Sequence, residues 1–163
     1  MNENGDNEKI NFFIKEACDL SAESVLKGCG PFGCVITDLE FNEIARGHNM
    51  VTLLKDPTAH AEIQTIREAC KMVDNFELSD CILFSSCEPC PMCLSAIYWS
   101  RIKYVYYVNT RLDAKNIGFD DSYIYDEINK SVDDRSIQMK KVHSSNSLDS
   151  FDMWEKMEDK KKY

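Results

Sequence analysis

Cys81-Ile82-Leu83-Phe84-Ser85-Ser86-Cys87-Glu88-Pro89-Cys90-Pro91-Met92-Cys93 begins as a fully apolar, strand-like tetrad and runs into a junction rich in proline and cysteine. Residues 92–100 then have the length and composition of a helix, and Tyr104-Val105-Tyr106-Tyr107-Val108 has the aromatic, β-branched character of a further strand. Strand, helix and strand in that order predict a sheet with parallel pairs and helices packed on its faces. Ligand chemistry is expected where such strands give way to helices, which is where 87–93 falls.

The flanking sequence extends the same alternation. Ile10, Phe13, Ala17 and Leu20 recur at roughly helical spacing over residues 9–26, until Gly28, Gly30 and Pro31 stop the pattern. Cys34-Val35-Ile36 and Ile44-Ala45, separated by the polar stretch 38–43, read as two strands of a hairpin. After Pro57 and the candidate cap Thr58, the residues Ile63, Ile66, Cys70 and Val73 mark one face of a second helix. The last third predicts a helix near 122–129, a weak strand at 137–142 and a final helix from about Ser147. This divides the chain into a flexible start at 1–7, a main domain at 8–146 and a C-terminal helix and tail at 147–163.

Composition narrows the function classes. At 163 residues the chain suits one domain of ~100–200 residues, and 44% hydrophobic and 29% charged residues are ordinary for a globular protein. Acidic residues outnumber basic ones 28 to 19, a net charge of −9 that argues against nucleic acid or an anionic membrane as partner. No apolar run approaches the ~18 residues of a membrane span, and the polar first residues do not read as a secretion signal. Eight cysteines in such a chain suggest metal binding or inert burial in a reducing, cytoplasmic setting rather than a disulfide framework.

The chemistry gathers at two predicted helix starts, His60-Ala61-Glu62 and Cys87 to Cys93. Cys90 and Cys93, three residues apart on a first helical turn, share one face, and the positive end of the helix dipole favours their thiolates. Two thiolates and the His60 imidazole suit Zn²⁺, and three protein ligands leave a fourth tetrahedral position for water, as in catalytic sites. Glu62 is then placed to accept a proton from that water. Cys87 is the competitor, since as a fourth ligand it closes a structural Cys₃His site. Cys18, Cys29, Cys34, Cys70 and Cys81 read as small buried hydrophobes.

His60-Ala61-Glu62 followed by Pro89-Cys90-Pro91-Met92-Cys93 matches the H-x-E…P-C-x-x-C signature of zinc deaminases. The chain resembles the cytidine-deaminase-like zinc hydrolases. Together with Gly30-Pro31-Phe32-Gly33, Asp56-Pro57-Thr58, Tyr98-Trp99, Gly118-Phe119-Asp120-Asp121 and the final Lys160-Lys161-Lys162-Tyr163, it is similar to the small microbial-type guanine deaminases over nearly its whole length. That resemblance implies a three-layer α/β/α sandwich around a mixed five-stranded sheet. It implies one Zn²⁺ per chain on His60, Cys90 and Cys93, with Glu62 as proton shuttle and Asp121 as a second acid. It also implies substrate contacts from Asn49, Phe32, Ala61, Trp99 and Tyr163.

The implied reaction is hydrolysis of guanine to xanthine and ammonia, in purine salvage or catabolism. Alternatives are deamination of tRNA adenosine or of cytosine, and a non-catalytic zinc-stapled interaction domain. Several of these residues also have plainer readings: Asn49 as a turn residue, Phe32 and Trp99 as core aromatics, Asp120 and Asp121 as helix caps. The cysteine at 34 stands where the resembling proteins often have alanine. Phe151, Trp154 and Met157 form an apolar stripe, and the resemblance implies a homodimer in which the C-terminal segment is exchanged, bringing Tyr163 to the partner's pocket. His48 and His143 have no partner motif and are assigned no role.

Overall fold

The computed structural model describes residues 3–162, which fall into two compact units that divide between Ser122 and Tyr123. The first contains α1 (Glu3–Leu26), β1 (Gly33–Asp38), β2 (Glu43–His48), α2 (Val51–Leu54), α3 (Ala61–Met72), β3 (Cys81–Cys87), α4 (Pro91–Trp99), β4 (Tyr104–Asn109) and α5 (Arg111–Asn116). The strands lie in the order β2-β1-β3-β4. Only the β3–β4 pair is parallel; β1 runs antiparallel to both β2 and β3. This is the strand–helix–strand crossover expected from 81–108, carried by α4.

Two-residue alternation along β1 and β3 builds a layer on each face of this sheet. Val35, Ile82 and Phe84 face α1, where Phe13, Ala17 and Leu20 complete one core. Cys34, Ile36 and Leu83 face the other way, onto Ala61, Ile66 and Ala69 of α3 and Ile97 of α4. The unit is therefore a three-layer α/β/α arrangement. Gly33 allows the close approach of α1, since a Cβ there would stand 2.2 Å from the Ala17 carbonyl oxygen.

Tyr123–Tyr163 is the second unit. It holds most of α6 (Ser122–Asn129), a 3-10 turn at Val132–Asp134 and α7 (Asp149–Lys156). No described residue of it is buried.

Two readings need correction. The mixed sheet has four strands among the described residues rather than five, because 137–142 forms none. Ile137 and Val142 are exposed there, and an unpaired strand leaves its N–H and C=O groups unsatisfied, so it does not persist alone. The first helix begins at Glu3 instead of near residue 9.

Candidate active site

Two helix starts converge at the carboxyl end of β3. His60 is the N-cap of α3 and Cys90 the N-cap of α4, both with extended backbone, and Pro91 takes the first helical position of α4. Proline suits that position because its missing N–H is an orphan in any helix. The imidazole Nδ1 of His60 lies 3.5 Å from Cys90 Sγ and 3.6 Å from Cys93 Sγ. A tetrahedral ion with metal–sulfur bonds of ~2.3 Å and metal–nitrogen bonds of ~2.0–2.1 Å sets sulfur and nitrogen about 3.5 Å apart. The ligand atoms of His60, Cys90 and Cys93 all lie within 4.8 Å of one another, so this group could hold a metal ion.

The electrostatics match that use. Cys90 is pulled well below the ordinary thiol range, first by the Cys93 S–H it accepts and also by the imidazole, while Cys93 is pushed up by donating. His60 is raised from its usual value, chiefly by its contact with Cys90.

Cys87 stands apart from this group. It is the last residue of β3, its thiol donates to the Thr110 carbonyl at 3.6 Å, and burial pushes its pKa to about 11. A closed Cys₃His site has no support in this arrangement.

Glu62 sits on the first turn of α3, 5% exposed. Its Oε1 accepts from Ser85 Oγ at 3.3 Å and its Oε2 from Cys93 Sγ at 3.4 Å. Burial raises its pKa, which moves a carboxylate toward the range where it can both take and return a proton near neutrality. Ser85 was not singled out by the sequence; the parity of β3 alone places its side chain on the α3 face. Cys34 is fully buried, and the nearby Glu62 charge adds to the burial that raises its thiol.

Around this centre the other candidates fall unevenly. Asn49 is buried; its backbone N–H donates to the Phe32 carbonyl at 2.9 Å, and its Oδ1 accepts from the Val51 N–H at 3.2 Å. Ala61 is fully buried between His60 and Glu62. The Phe32 ring meets Phe119, which carried no assigned role, edge to face at 5.0 Å.

Asp120 and Asp121 divide the work that the sequence left open between them. Asp120 accepts from the Ser122 N–H at 3.0 Å and pairs with Lys115 at 2.9 Å, and its pKa falls to about 2. Asp121 instead keeps a buried Oδ1 with no hydrogen-bond partner, and its pKa is raised by burial and by the nearby Cys90 charge. Trp99 ends α4 and is 60% exposed, six residues and ~9 Å of helix rise beyond Cys93. Tyr163 lies outside the described residues.

Comparison with known proteins agrees with this geometry. The cytidine and deoxycytidylate deaminase zinc-binding region matches residues 7–109. A guanine deaminase of Bacillus subtilis (strain 168) is 49% identical over 152 residues, 93% of this chain and 97% of that protein. A tRNA-specific adenosine deaminase of Aquifex aeolicus (strain VF5) is 40% identical over 107 residues, 66% of this chain and 69% of that one. The X-ray structure of guanine deaminase from Bacillus subtilis superposes with a TM-score of 0.90 at 48% identity, covering 94% of this chain and 98% of the other.

Proposed function

The chain belongs to the cytidine and deoxycytidylate deaminase zinc-binding family, and we propose that within it the protein hydrolyses guanine to xanthine and ammonia. The observation that carries this reading is the length of the likeness: similarity to guanine deaminase runs through 93% of the chain, whereas similarity to the tRNA adenosine deaminase covers 66%. The acidic net charge of −9 also suits a small neutral base better than a polynucleotide.

His60, Cys90 and Cys93 hold one Zn²⁺ in this reading, with Cys87 outside the ligand set. Bound there, zinc supplies Lewis acidity that lowers the pKa of water to about 7. The purine sits against Ala61 and the Phe32 and Phe119 rings, with the Asn49 amide at its polar edge and Trp99 as a further wall. Oxygen from water adds to C2 as Glu62 takes a proton and delivers it to N3. Glu62 then takes the proton of the new C2 hydroxyl and passes it to the 2-amino group, so that the C2 carbonyl forms as the C2–N bond breaks and ammonia departs rather than amide ion. Asp121 accepts an N–H of that amine through its unpartnered Oδ1.

We place the protein in the cytoplasm, where eight free cysteines remain reduced, as a homodimer exchanging residues 147–163. Ammonia release from guanine, adenine, cytosine and their nucleosides, measured side by side, tests the substrate. Guanine is expected fastest by far; faster release from cytosine or an adenosine substrate overturns the assignment.

A further inference from the structure

His48 lies at the end of β2, half-buried, with a partner on each ring nitrogen. Its Nδ1 is 2.8 Å from the backbone carbonyl oxygen of Asn49, and its Nε2 is 3.1 Å from the Lys27 ammonium. A carbonyl only accepts and an ammonium only donates. The contacts therefore assign Nδ1 as the nitrogen that donates to Asn49 and Nε2 as the one that accepts from Lys27. Lys27 is itself drawn toward Glu23, 3.6 Å away on α1.

Among the described residues the Asn49 carbonyl has one competing donor, the Ser24 hydroxyl at 3.1 Å. That hydroxyl has a single proton and a closer acceptor in the Gly30 carbonyl at 2.7 Å, so His48 is the nearer and undivided donor. The other ties of Asn49 fix its side chain. Its backbone N–H is held by Phe32 and its Oδ1 by Val51, which leaves the two Nδ2 protons without an acceptor among the described residues. Those protons are what a carbonyl or ring nitrogen of a purine would accept from.

We propose that His48 is a positioning residue for guanine binding. Its ring clamps the Asn49 backbone, and so fixes the direction in which the Asn49 amide presents its donors. The clamp also ties the end of α1, through Lys27, to the strand end that carries Asn49, while Phe32 is joined to the same residue by its carbonyl. The inference rests on Asn49 being the purine-binding amide, and it concerns binding rather than the proton transfers at Glu62.

Amide side chains separate the two ring contacts. Asparagine places its NH₂ near the position of Nδ1, whereas glutamine reaches the position of Nε2. In the zinc-loaded protein, His48→Ala is expected to raise the KM for guanine about tenfold, the value of one well-made hydrogen bond to an ordered group, with kcat within about twofold and zinc content unchanged. His48→Asn restores the KM and His48→Gln does not.

An unchanged KM in His48→Ala overturns the proposal, as does a loss confined to kcat or equal KM defects in the asparagine and glutamine variants. Asn49→Ala is measured alongside. If it leaves the KM unaltered, the assignment of Asn49 falls and takes the proposal with it. If it raises the KM while His48→Ala does not, the role of His48 alone is refuted.

Discussion

At Glu62 the buried carboxylate accepts from Ser85 Oγ, and the proposed chemistry asks it to take and return protons. Glu62→Gln keeps the shape and removes that capacity, so we expect zinc content to stay at one per chain while ammonia release falls about 10²–10⁴-fold. Turnover close to that of the parent refutes the shuttle. The ligand set has its own test: Cys93→Ala is expected to lose the metal and Cys87→Ala to retain it, read by metal analysis of the purified variants. The Cys-x-x-Cys spacing made Cys90 and Cys93 legible before any coordinates. The match of the flanking residues to the deaminase signature sets Cys87 aside, and the structure adds the physical reason: β3 stops at Cys87, whose thiol turns to Thr110 while Cys90 caps α4. Ser85 and Phe119 were not legible as site residues, since a buried strand serine and an aromatic in a loop have no spacing that marks them.

Among the elements, the seating of α1 on β1 depends on the absence of a side chain at Gly33. A Cβ there would meet the Ala17 carbonyl oxygen at 2.2 Å and the Ser21 nitrogen at 2.6 Å. Both are backbone atoms of α1, so no rotamer change relieves the clash and the helix must lift off Val35 and Phe84. Gly33→Ala is therefore expected to cost about 3 kcal/mol or more in a urea titration, the upper range for overpacking. A change below about 0.5 kcal/mol, the size of an indifferent surface substitution, shows that α1 is not seated in this way. The long amphipathic elements α1 and α3 and the apolar β3 were readable because periodicity accumulates over their length. α2 and α5, of four and six residues, are too short to leave a period, and α5 is announced only by the Thr110–Asp113 capping box. Residues 137–142 have strand-like composition, but a strand is decided by what it pairs with, and that is not written in its own sequence.

For the molecule as a whole, metal, protons and assembly are linked. Zinc binds the neutral imidazole and the thiolates, whereas in the metal-free protein the pKa of His60 is raised, chiefly by its contact with Cys90, and that of the Cys93 thiol is pushed up. Binding must expel these protons, so affinity strengthens as pH rises and weakens as it falls. A chelator is expected to strip the metal more readily at about pH 6 than at about pH 8, straddling the ordinary histidine range; equal stripping at both overturns the linkage. Assembly is tested at the other end of the chain. Phe151, Trp154 and Met157 on and beside α7 are 69%, 43% and 50% exposed, and no described residue of the second unit is buried. A short segment with so much apolar surface cannot stabilise itself, which is what the proposed exchange between two copies provides for. Closing a pocket excludes water and strengthens the electrostatics within it, so the exchanged tail bears on turnover as well as on assembly. Deleting residues 159–163 is expected to leave zinc content intact and to reduce guanine turnover strongly, because the polar tail that carries Tyr163 is removed while the ligands stay in place. A truncated protein that turns over guanine as fast as the full chain shows the tail to be a solvated end, and a monomer in sedimentation removes the dimer as well.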